Sequence, residues 1–144
     1  MIRFHVSMIV LFMLMVVSGI LVPFFLHIHR EAHTHETVWA IDFSPDGKLM
    51  ARGSSLGAAV FEICTQRLIS KLDIQAGCLA FSKDSRMIAT GELHGSVKVW
   101  DAVTGLLLDD LPGHSGWVRS IAFSPDSTRL YSASRDGMIK EWQV

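Results

Sequence analysis

A four-residue pattern, phenylalanine–serine–any residue–aspartate, occurs three times in this chain, starting at Phe43, Phe81 and Phe123. The copies are 38 and 42 residues apart, and each follows a stretch of residues that favour β-strands. Trp100 and Trp142 lie nineteen residues after the second and third phenylalanines. A period of about 40 residues indicates three copies of one supersecondary unit.

Each copy also contains turn-forming residues between short apolar stretches. Residues 44–47 (Ser-Pro-Asp-Gly) suit a type I turn, because proline fixes φ at the second position and glycine favours the fourth. Gly95 and Gly137 stand where tight hairpins require positive φ, and Gly105 supplies a further turn. Three turns in about 40 residues predict four short antiparallel strands, as in one blade of a propeller.

Longer motifs in the second and third copies are more specific. Residues 113–126 read Gly-His-Ser-Gly-Trp-Val-Arg-Ser-Ile-Ala-Phe-Ser-Pro-Asp, and residues 132–137 read Ser-Ala-Ser-Arg-Asp-Gly, ahead of Trp142. Residues 97–101 read Val-Lys-Val-Trp-Asp. In combination these motifs resemble the WD-repeat family, and the resemblance extends over about residues 34–144.

The resemblance implies an all-β fold, a partial β-propeller of three WD-repeat blades at about residues 37–74, 75–113 and 114–144. We expect the last blade to lack its outer strand. Propellers close with about four to eight blades, so three would leave two apolar inter-blade faces and one strand edge open to water. We therefore expect association with further blades or self-association, unless the chain is a truncated fragment without independent function.

In the family, a buried hydrogen-bond network joins the histidine of a Gly-His pair to a hairpin aspartate, a strand serine or threonine, and the tryptophan. The resemblance places these roles in the third copy on His114, Asp136, Trp142 and either Ser132 or Ser134. A connected network of this kind would hold a loop, a turn and a strand together.

The other two copies match this network less well. The second has Trp100 and Thr90, but Leu72 and His94 replace the histidine and the aspartate. In the first copy Phe61 stands in the place of the tryptophan, and no network is expected.

The Ser132, His114 and Asp136 side chains also match the residue types of a catalytic triad. We favour a structural role and no catalytic residues, because the repeat explains their spacing and the serine would be buried.

The loops on one rim of the blades contain the candidate partner-binding residues, which are Trp117, Arg135, His94 and Leu93. An exposed tryptophan with a nearby arginine would anchor a protein partner well. Alternatively, Trp117 packs between blades.

The N-terminal region predicts a membrane anchor at residues 1–30. Residues 6–28 contain no Asp, Glu, Lys or Arg. As a helix these 23 residues would extend about 34 Å, enough for a bilayer core. A cleaved secretory signal with a site at residues 16–18 is the alternative, and a buried soluble helix is a weaker one. The flanking charges leave the side of the membrane open.

Residues 31–36 follow as a histidine-rich linker. Imidazole groups bind zinc or copper, but a defined site needs several ligands held in fixed geometry, so we expect no metal and no cofactor.

Charge and cysteine content narrow the function further. The chain has 13 Lys and Arg against 14 Asp and Glu, and Arg3 and Arg30 flank the apolar segment. No basic field remains to attract nucleic acid. Cys64 and Cys78 are too few for a disulfide scaffold. The sequence therefore predicts a single-pass, membrane-anchored scaffold that binds protein partners, with part of a ligand-binding propeller as an alternative.

Overall fold

The computed structural model describes residues 36–144, which form three antiparallel sheets and no helix. Blade 1 contains β1 (Val38–Phe43), β2 (Leu49–Ser54), β3 (Gly57–Glu62) and β4 (Leu68–Leu72). Blade 2 contains β5 (Ala76–Phe81), β6 (Met87–Glu92), β7 (Val97–Asp101) and β8 (Leu107–Leu111). Blade 3 contains β9 (Val118–Phe123), β10 (Arg129–Ser134) and β11 (Ile139–Gln143).

This architecture confirms the all-β fold of three blades, the last with three strands. The predicted membrane span at residues 6–28 lies outside the described residues, as do residues 31–35 of the predicted linker. Between residues 36 and 144 we find no helix with the length and apolarity needed to cross a bilayer.

The repeated Phe-Ser-x-Asp pattern forms the same turn between the first two strands of every blade. In blade 1, the Ser44 hydroxyl donates to the Asp46 carboxylate at 2.6 Å and accepts from the backbone N–H of Leu49 at 2.8 Å. The same serine–aspartate bond measures 2.6 Å at Ser82 and 2.5 Å at Ser124. The motif therefore repeats because each hairpin needs one side chain that both donates and accepts.

The three sheets stack in chain order, since β5 lies between β1 and β9. We call the face of a blade that is directed toward the preceding blade its leading face, and the opposite one its trailing face. The first core joins the trailing face of blade 1 to the leading face of blade 2 and includes Val60, Leu79, Phe81, Ile88 and Trp100. The second joins blades 2 and 3 in the same way and includes Ala89, Val97, Val99, Ile121 and Leu130.

Hydrogen bonds also tie neighbouring blades together. The backbone N–H of Asp46 donates to the Ser85 hydroxyl at 3.1 Å, and that of Lys83 donates to the Ser127 hydroxyl at 3.0 Å. Both serines adopt positive φ. The Asp42 carboxylate accepts from the backbone N–H of Phe81 at 2.9 Å. These bonds fix how far one blade can slide against the next.

Close approach between blades depends on glycine at one repeated position of the second strand. A Cβ added to Gly53 would lie 2.5 Å from the carbonyl oxygen of Ala76 in blade 2. A Cβ added to Gly91 would lie 2.7 Å from Cγ1 of Val118 in blade 3. The strand register places Ala133 at the same position in blade 3.

The two open ends of the stack differ, which corrects the expectation of two apolar faces. On the leading face of blade 1, Ile41 and Phe43 are 58% and 54% exposed, whereas their counterparts in blade 2, Leu79 and Phe81, are 9% and 7% exposed. The trailing face of blade 3 instead carries an ion pair of 3.1 Å between Arg129 and Glu141. The blade 1 end exposes more large apolar side chains, but its leading face also carries the ion pair between Glu36 and Arg52, and blade 3 exposes Ile139.

We predict that Gly53→Ala lowers the free energy of unfolding by about 1–3 kcal/mol, because the added methyl group collides with the backbone of blade 2. The matched control is Ala133→Val, which adds bulk at the same position of blade 3, where no other blade of residues 36–144 packs, and should change stability by about 0.5 kcal/mol or less. Denaturant unfolding of the full chain in detergent measures both. Equal losses would contradict the proposed role of the glycine.

Candidate functional site

The main polar site of the described residues lies at the start of blade 3, where the loop before β9 meets the β10–β11 hairpin. His114 Nδ1 lies 2.9 Å from Asp136 Oδ2, and His114 Nε2 lies 2.8 Å from the Ser132 hydroxyl. Trp142 Nε1 donates to the same hydroxyl at 2.8 Å. The structure thus brings together the four residues that the resemblance singled out, with Ser132 rather than Ser134 in the network.

The directions of these bonds follow from the carboxylate. Partial burial opposes ionisation of Asp136, but backbone N–H groups of Met138 and Ser115, together with His114, lower its pKa to about 2. An ionised carboxylate only accepts, so His114 donates from Nδ1, and its Nε2 lies within hydrogen-bond distance of the Ser132 hydroxyl. Tryptophan, serine, histidine and aspartate form one chain of donors and acceptors.

The same distances satisfy the geometry of a catalytic triad, so accessibility decides what the arrangement can do. Ser132 is 1% exposed, and its oxygen already accepts a hydrogen bond from Trp142. A nucleophile needs a path to substrate and a free lone pair directed at it. The arrangement binds strands and loop together and presents no nucleophile.

Ser134, the alternative to Ser132, stabilises the β10–β11 hairpin and the loop beside it. Its hydroxyl donates to the carbonyl oxygen of Gly116 at 2.8 Å and accepts from the backbone N–H of Asp136 at 3.2 Å. It therefore supports the loop next to the network without joining it.

Blade 2 retains part of this arrangement. Trp100 Nε1 donates to the Thr90 hydroxyl at 2.8 Å, and both residues are buried. Leu72, which stands in the place of the histidine, belongs to the apolar core, and His94 is exposed on the hairpin. Blade 2 therefore keeps the hydrogen bond between Trp100 and Thr90, but it lacks the histidine–aspartate bond that joins the entry loop to the hairpin in blade 3.

Blade 1 has a different polar cluster, which the sequence reasoning missed. Arg52 stands opposite Ile41 and Ala59, the register position of Thr90 and Ser132 in the other blades. Its guanidinium forms an ion pair of 3.1 Å with Glu36 and lies 5.4 Å from the ring centre of Phe61.

The second contact of Glu36 ties the start of the described chain to β2. Its carboxylate accepts from the Ser54 hydroxyl at 2.5 Å. Glu36 is the last residue of the predicted linker, and its side chain contacts Arg52 and Ser54 of blade 1. The alignment of Arg52 with Thr90 and Ser132 was the available signal for this cluster.

The rim residues occupy the same end of the blades as these loops. Trp117 is half-buried, and a Cβ on Gly77 of blade 2 would lie 2.5 Å from its Nε1, so the indole packs between blades 2 and 3. Its Nε1 has no hydrogen-bond partner among the described residues. The guanidinium of Arg119 lies 4.2 Å from the centre of its ring, on the open side.

The other predicted rim residues surround this pair. Arg135 and His94 are exposed, and Leu93 is half-buried. The backbone N–H of Arg135 donates to the carbonyl oxygen of Trp117 at 2.8 Å. Arg119, which stacks on the tryptophan in place of the expected Arg135, lies two residues after Trp117 at the bulge of β9. We call Trp117, Arg119 and Arg135 the rim patch.

Neither cysteine takes part in these sites. Cys64 is exposed and Cys78 is buried, and both are free. Burial raises the pKa of the Cys78 thiol to about 11, and the thiol donates to the carbonyl oxygen of Val118 at 3.4 Å. Within residues 36–144 no three His, Cys, Asp or Glu side chains are grouped closely enough to hold a metal ion.

Comparison with known families agrees with the three repeated blades. The family model described as "WD domain, G-beta repeat" matches residues 25–57, 69–101 and 105–143. The chain belongs to the WD-repeat family.

Several curated WD-repeat relatives are similar over most of the chain. The WD repeat-containing protein SL1-17 of Schistosoma mansoni is 36% identical over 110 residues, which cover 74% of this chain and 36% of that protein. The nuclear distribution protein nudF of Aspergillus terreus is 30% identical over 138 residues, covering 77% and 31% of the two chains. This WD-repeat chain therefore spans about a third of the length of these relatives.

A solved structure confirms the fold alone. The structure of U3-55K superposes with a TM-score of 0.72 at 21% sequence identity, covering 77% of this chain and 37% of the other.

We predict that Ser132→Ala lowers the free energy of unfolding by about 2–4 kcal/mol, because it leaves His114 Nε2 and Trp142 Nε1 without a partner. Ser120→Ala is the matched control, since Ser120 is exposed on β9 and should have an effect below about 0.5 kcal/mol. Equilibrium unfolding, followed by tryptophan fluorescence, measures both changes. A neutral Ser132→Ala would show that the network is dispensable.

Proposed function

We propose that this WD-repeat chain is a non-catalytic scaffold that binds a protein partner through the rim patch and is held at a membrane by residues 6–28. The observation that carries the proposal is the exposed guanidinium of Arg119 stacked on the Trp117 ring. Tryptophan and arginine are the residues most enriched among binding hot spots. Stacking holds the arginine in place before a partner arrives, so less entropy is lost on binding.

The chemistry of the patch favours a partner with acidic side chains. Arg119 and Arg135 are exposed, and neither forms an ion pair with a residue of the described part of the chain. The nearby Asp136 carboxylate is occupied by His114 and by backbone N–H groups. Two guanidinium groups on the loops of blade 3 that form no ion pair within the described residues could each donate two parallel hydrogen bonds to a carboxylate.

The scaffold role also fits the state of the polar network. The serine, histidine and aspartate side chains are engaged with one another and with Trp142, so their hydrogen bonds hold the loop that presents Trp117. The WD-repeat relatives support the same role, because members of the family act as interaction modules.

The membrane part of the proposal rests on the sequence. Residues 6–28 form an uncharged apolar segment of 23 residues, the length that a helix needs to span a bilayer. A helix satisfies its own backbone hydrogen bonds in lipid, and the proline and small residues in this segment are tolerated there.

We predict that Arg119→Ala reduces recovery of the bound partner at least tenfold, because it removes a charge and uncovers the tryptophan. The measurement is affinity capture of the tagged full chain from detergent-solubilised membranes, with bound proteins quantified by mass spectrometry. Arg67→Ala is the matched control, since Arg67 is an exposed arginine near the β3–β4 turn, at the opposite end of the blades. A partner retained equally by both variants does not bind the rim patch, and the absence of any stoichiometric partner would favour a fragment without independent function.

We predict that the full chain stays in the membrane pellet after extraction with alkaline carbonate, and that its mass includes residues 1–30. Replacing both Leu14 and Val17 with arginine should release it, because each charge near the centre of a span costs about 2.5–3.5 kcal/mol. A mature chain that begins after residue 18 would identify a cleaved signal and overturn the anchor. Protease digestion of sealed vesicles then reports on which side the blades lie.

A further inference from the structure

The chain enters blade 1 at the same end of the blades at which the rim patch lies. β1 begins at Val38, which pairs with the last residue of β2, and β9 begins at Val118, which pairs with the last residue of β10. Trp117 and Arg135 of the rim patch flank that second pair. β5 lies between β1 and β9, and its first residues approach both the end of β2 and the indole of Trp117. The starts of the three inner strands therefore lie at one end of the stack, which we call the rim end.

Side-chain contacts fix the place at which the linker joins the rim end. The Glu36 carboxylate pairs with Arg52 at 3.1 Å and accepts from the Ser54 hydroxyl at 2.5 Å. The backbone N–H of Thr37 donates to the Ser55 hydroxyl at 3.1 Å, and its carbonyl oxygen accepts from the backbone N–H of Ser55 at 3.0 Å. These contacts attach the last linker residue to β2, so Glu36 moves with the blade.

This attachment shortens the connection between the blades and the proposed membrane span. Residues 29–35 separate the span at residues 6–28 from Glu36. These seven residues would extend at most about 25 Å, because an extended chain gains about 3.3–3.6 Å per residue. Stacked sheets lie about 10 Å apart, so the rim patch on blade 3 would stay within about 45 Å of the bilayer. A short tether of this kind presents the rim patch at high effective concentration to molecules in the same bilayer.

The side chains at the rim end fit a segment that contains both carboxylates and apolar groups. Arg119 is held on the Trp117 ring at 4.2 Å, and the exposed Arg135 follows β10. Neither arginine forms an ion pair within residues 36–144. Two hairpins at the same end carry large apolar residues in the open, since Leu56 is 73% and Met138 is 57% exposed. Carboxylates would pair with the arginines, and apolar side chains would cover the hairpin residues.

The charge of the blades favours a protein segment over the lipid surface itself. Residues 36–144 contain more acidic than basic side chains. An anionic leaflet attracts clusters of Lys and Arg and repels acidic groups, so it would gain little from this end of the blades. Two arginines that are free to take a carboxylate suit a defined acidic sequence better than a diffuse field of phosphates.

We propose that the rim patch takes an acidic segment that a second membrane protein presents next to its own span, in the same bilayer as this chain. The proposal rests on the proposed function, because it requires both the anchor at residues 6–28 and the rim patch. It adds the chemical class of the partner and the place where the partner is met. The contacts of Glu36 and Thr37 act as positioning contacts that keep the tether short.

Vesicles of phosphatidylcholine that contain the full chain and a designed single-span peptide test this proposal. In the first peptide, a segment of alternating glutamate and leucine directly follows the span. The second has glutamine in place of glutamate, and the third has a long Gly-Ser spacer between the span and the acidic segment. A membrane-impermeant donor dye on the native Cys64, which is exposed while Cys78 is buried, reports association by energy transfer to an acceptor on the peptide. Flotation of the vesicles first establishes that the chain is anchored.

The first peptide should reach half-saturation at a peptide-to-lipid ratio at least about tenfold lower than the glutamine peptide, because only glutamate pairs with the arginines. The spacer should raise that ratio at least about threefold, because effective concentration falls as the connection lengthens. Arg119→Ala should abolish the preference for glutamate. The matched control is Arg86→Ala, since Arg86 is exposed on the turn between β5 and β6, at the opposite end of the blades.

Four outcomes would overturn the proposal, and they separate it from the proposed function. Equal binding of the spacer peptide would leave an acidic partner at the rim patch but remove the bilayer as the place of contact. Equal binding of the glutamine peptide would remove the acidic class. Loss of peptide binding in vesicles that contain phosphatidylserine, but not in phosphatidylcholine, would show that lipid phosphates occupy the patch. A chain that fails to float with the vesicles would refute the anchor and this proposal together.

Discussion

The close stacking of one sheet on the next is the interaction on which the rest of this structure depends. Each blade has only three or four short strands, and such a sheet cannot bury its apolar face alone. Gly53 and Gly91 let neighbouring blades approach closely enough to bury Val60, Val99 and the tryptophan of blade 2. Cross-blade hydrogen bonds at the turns then set the register of the stack.

The polar network of blade 3 holds the loops at one rim of the blades in fixed positions. Blade 3 has no outer strand within the described residues, so its hairpin and its entry loop depend on side-chain hydrogen bonds for their positions. His114 and Asp136 connect the loop to the hairpin, and Ser132 and Trp142 connect both to the strands. The Ser132, His114 and Asp136 arrangement resembles a catalytic triad, but its serine and histidine are buried. Its hydrogen bonds hold the loop that contains Trp117 in position.

Repeats made much of the fold predictable. The Phe-Ser-x-Asp turns, the hairpin glycines and the spacing of the tryptophans specify strands and turns locally, and these formed as expected. Arg52 and Glu36 were missed because their pairing replaces a serine or threonine that the repeat pattern leads one to expect. The stacking of Arg119 on Trp117 was missed because the bulge in β9, which redirects side chains, has no clear sequence signature.

The sequence by itself determined the number of blades, their strand order and the residue types of the network, because each depends on contacts within one repeat of about 40 residues. Only the tertiary structure decided which faces are covered, since burial of a face depends on the neighbouring blade. It distinguished Ser132 from Ser134, packed Trp117 against Gly77, and left more large apolar side chains exposed at the blade 1 end than at the blade 3 end.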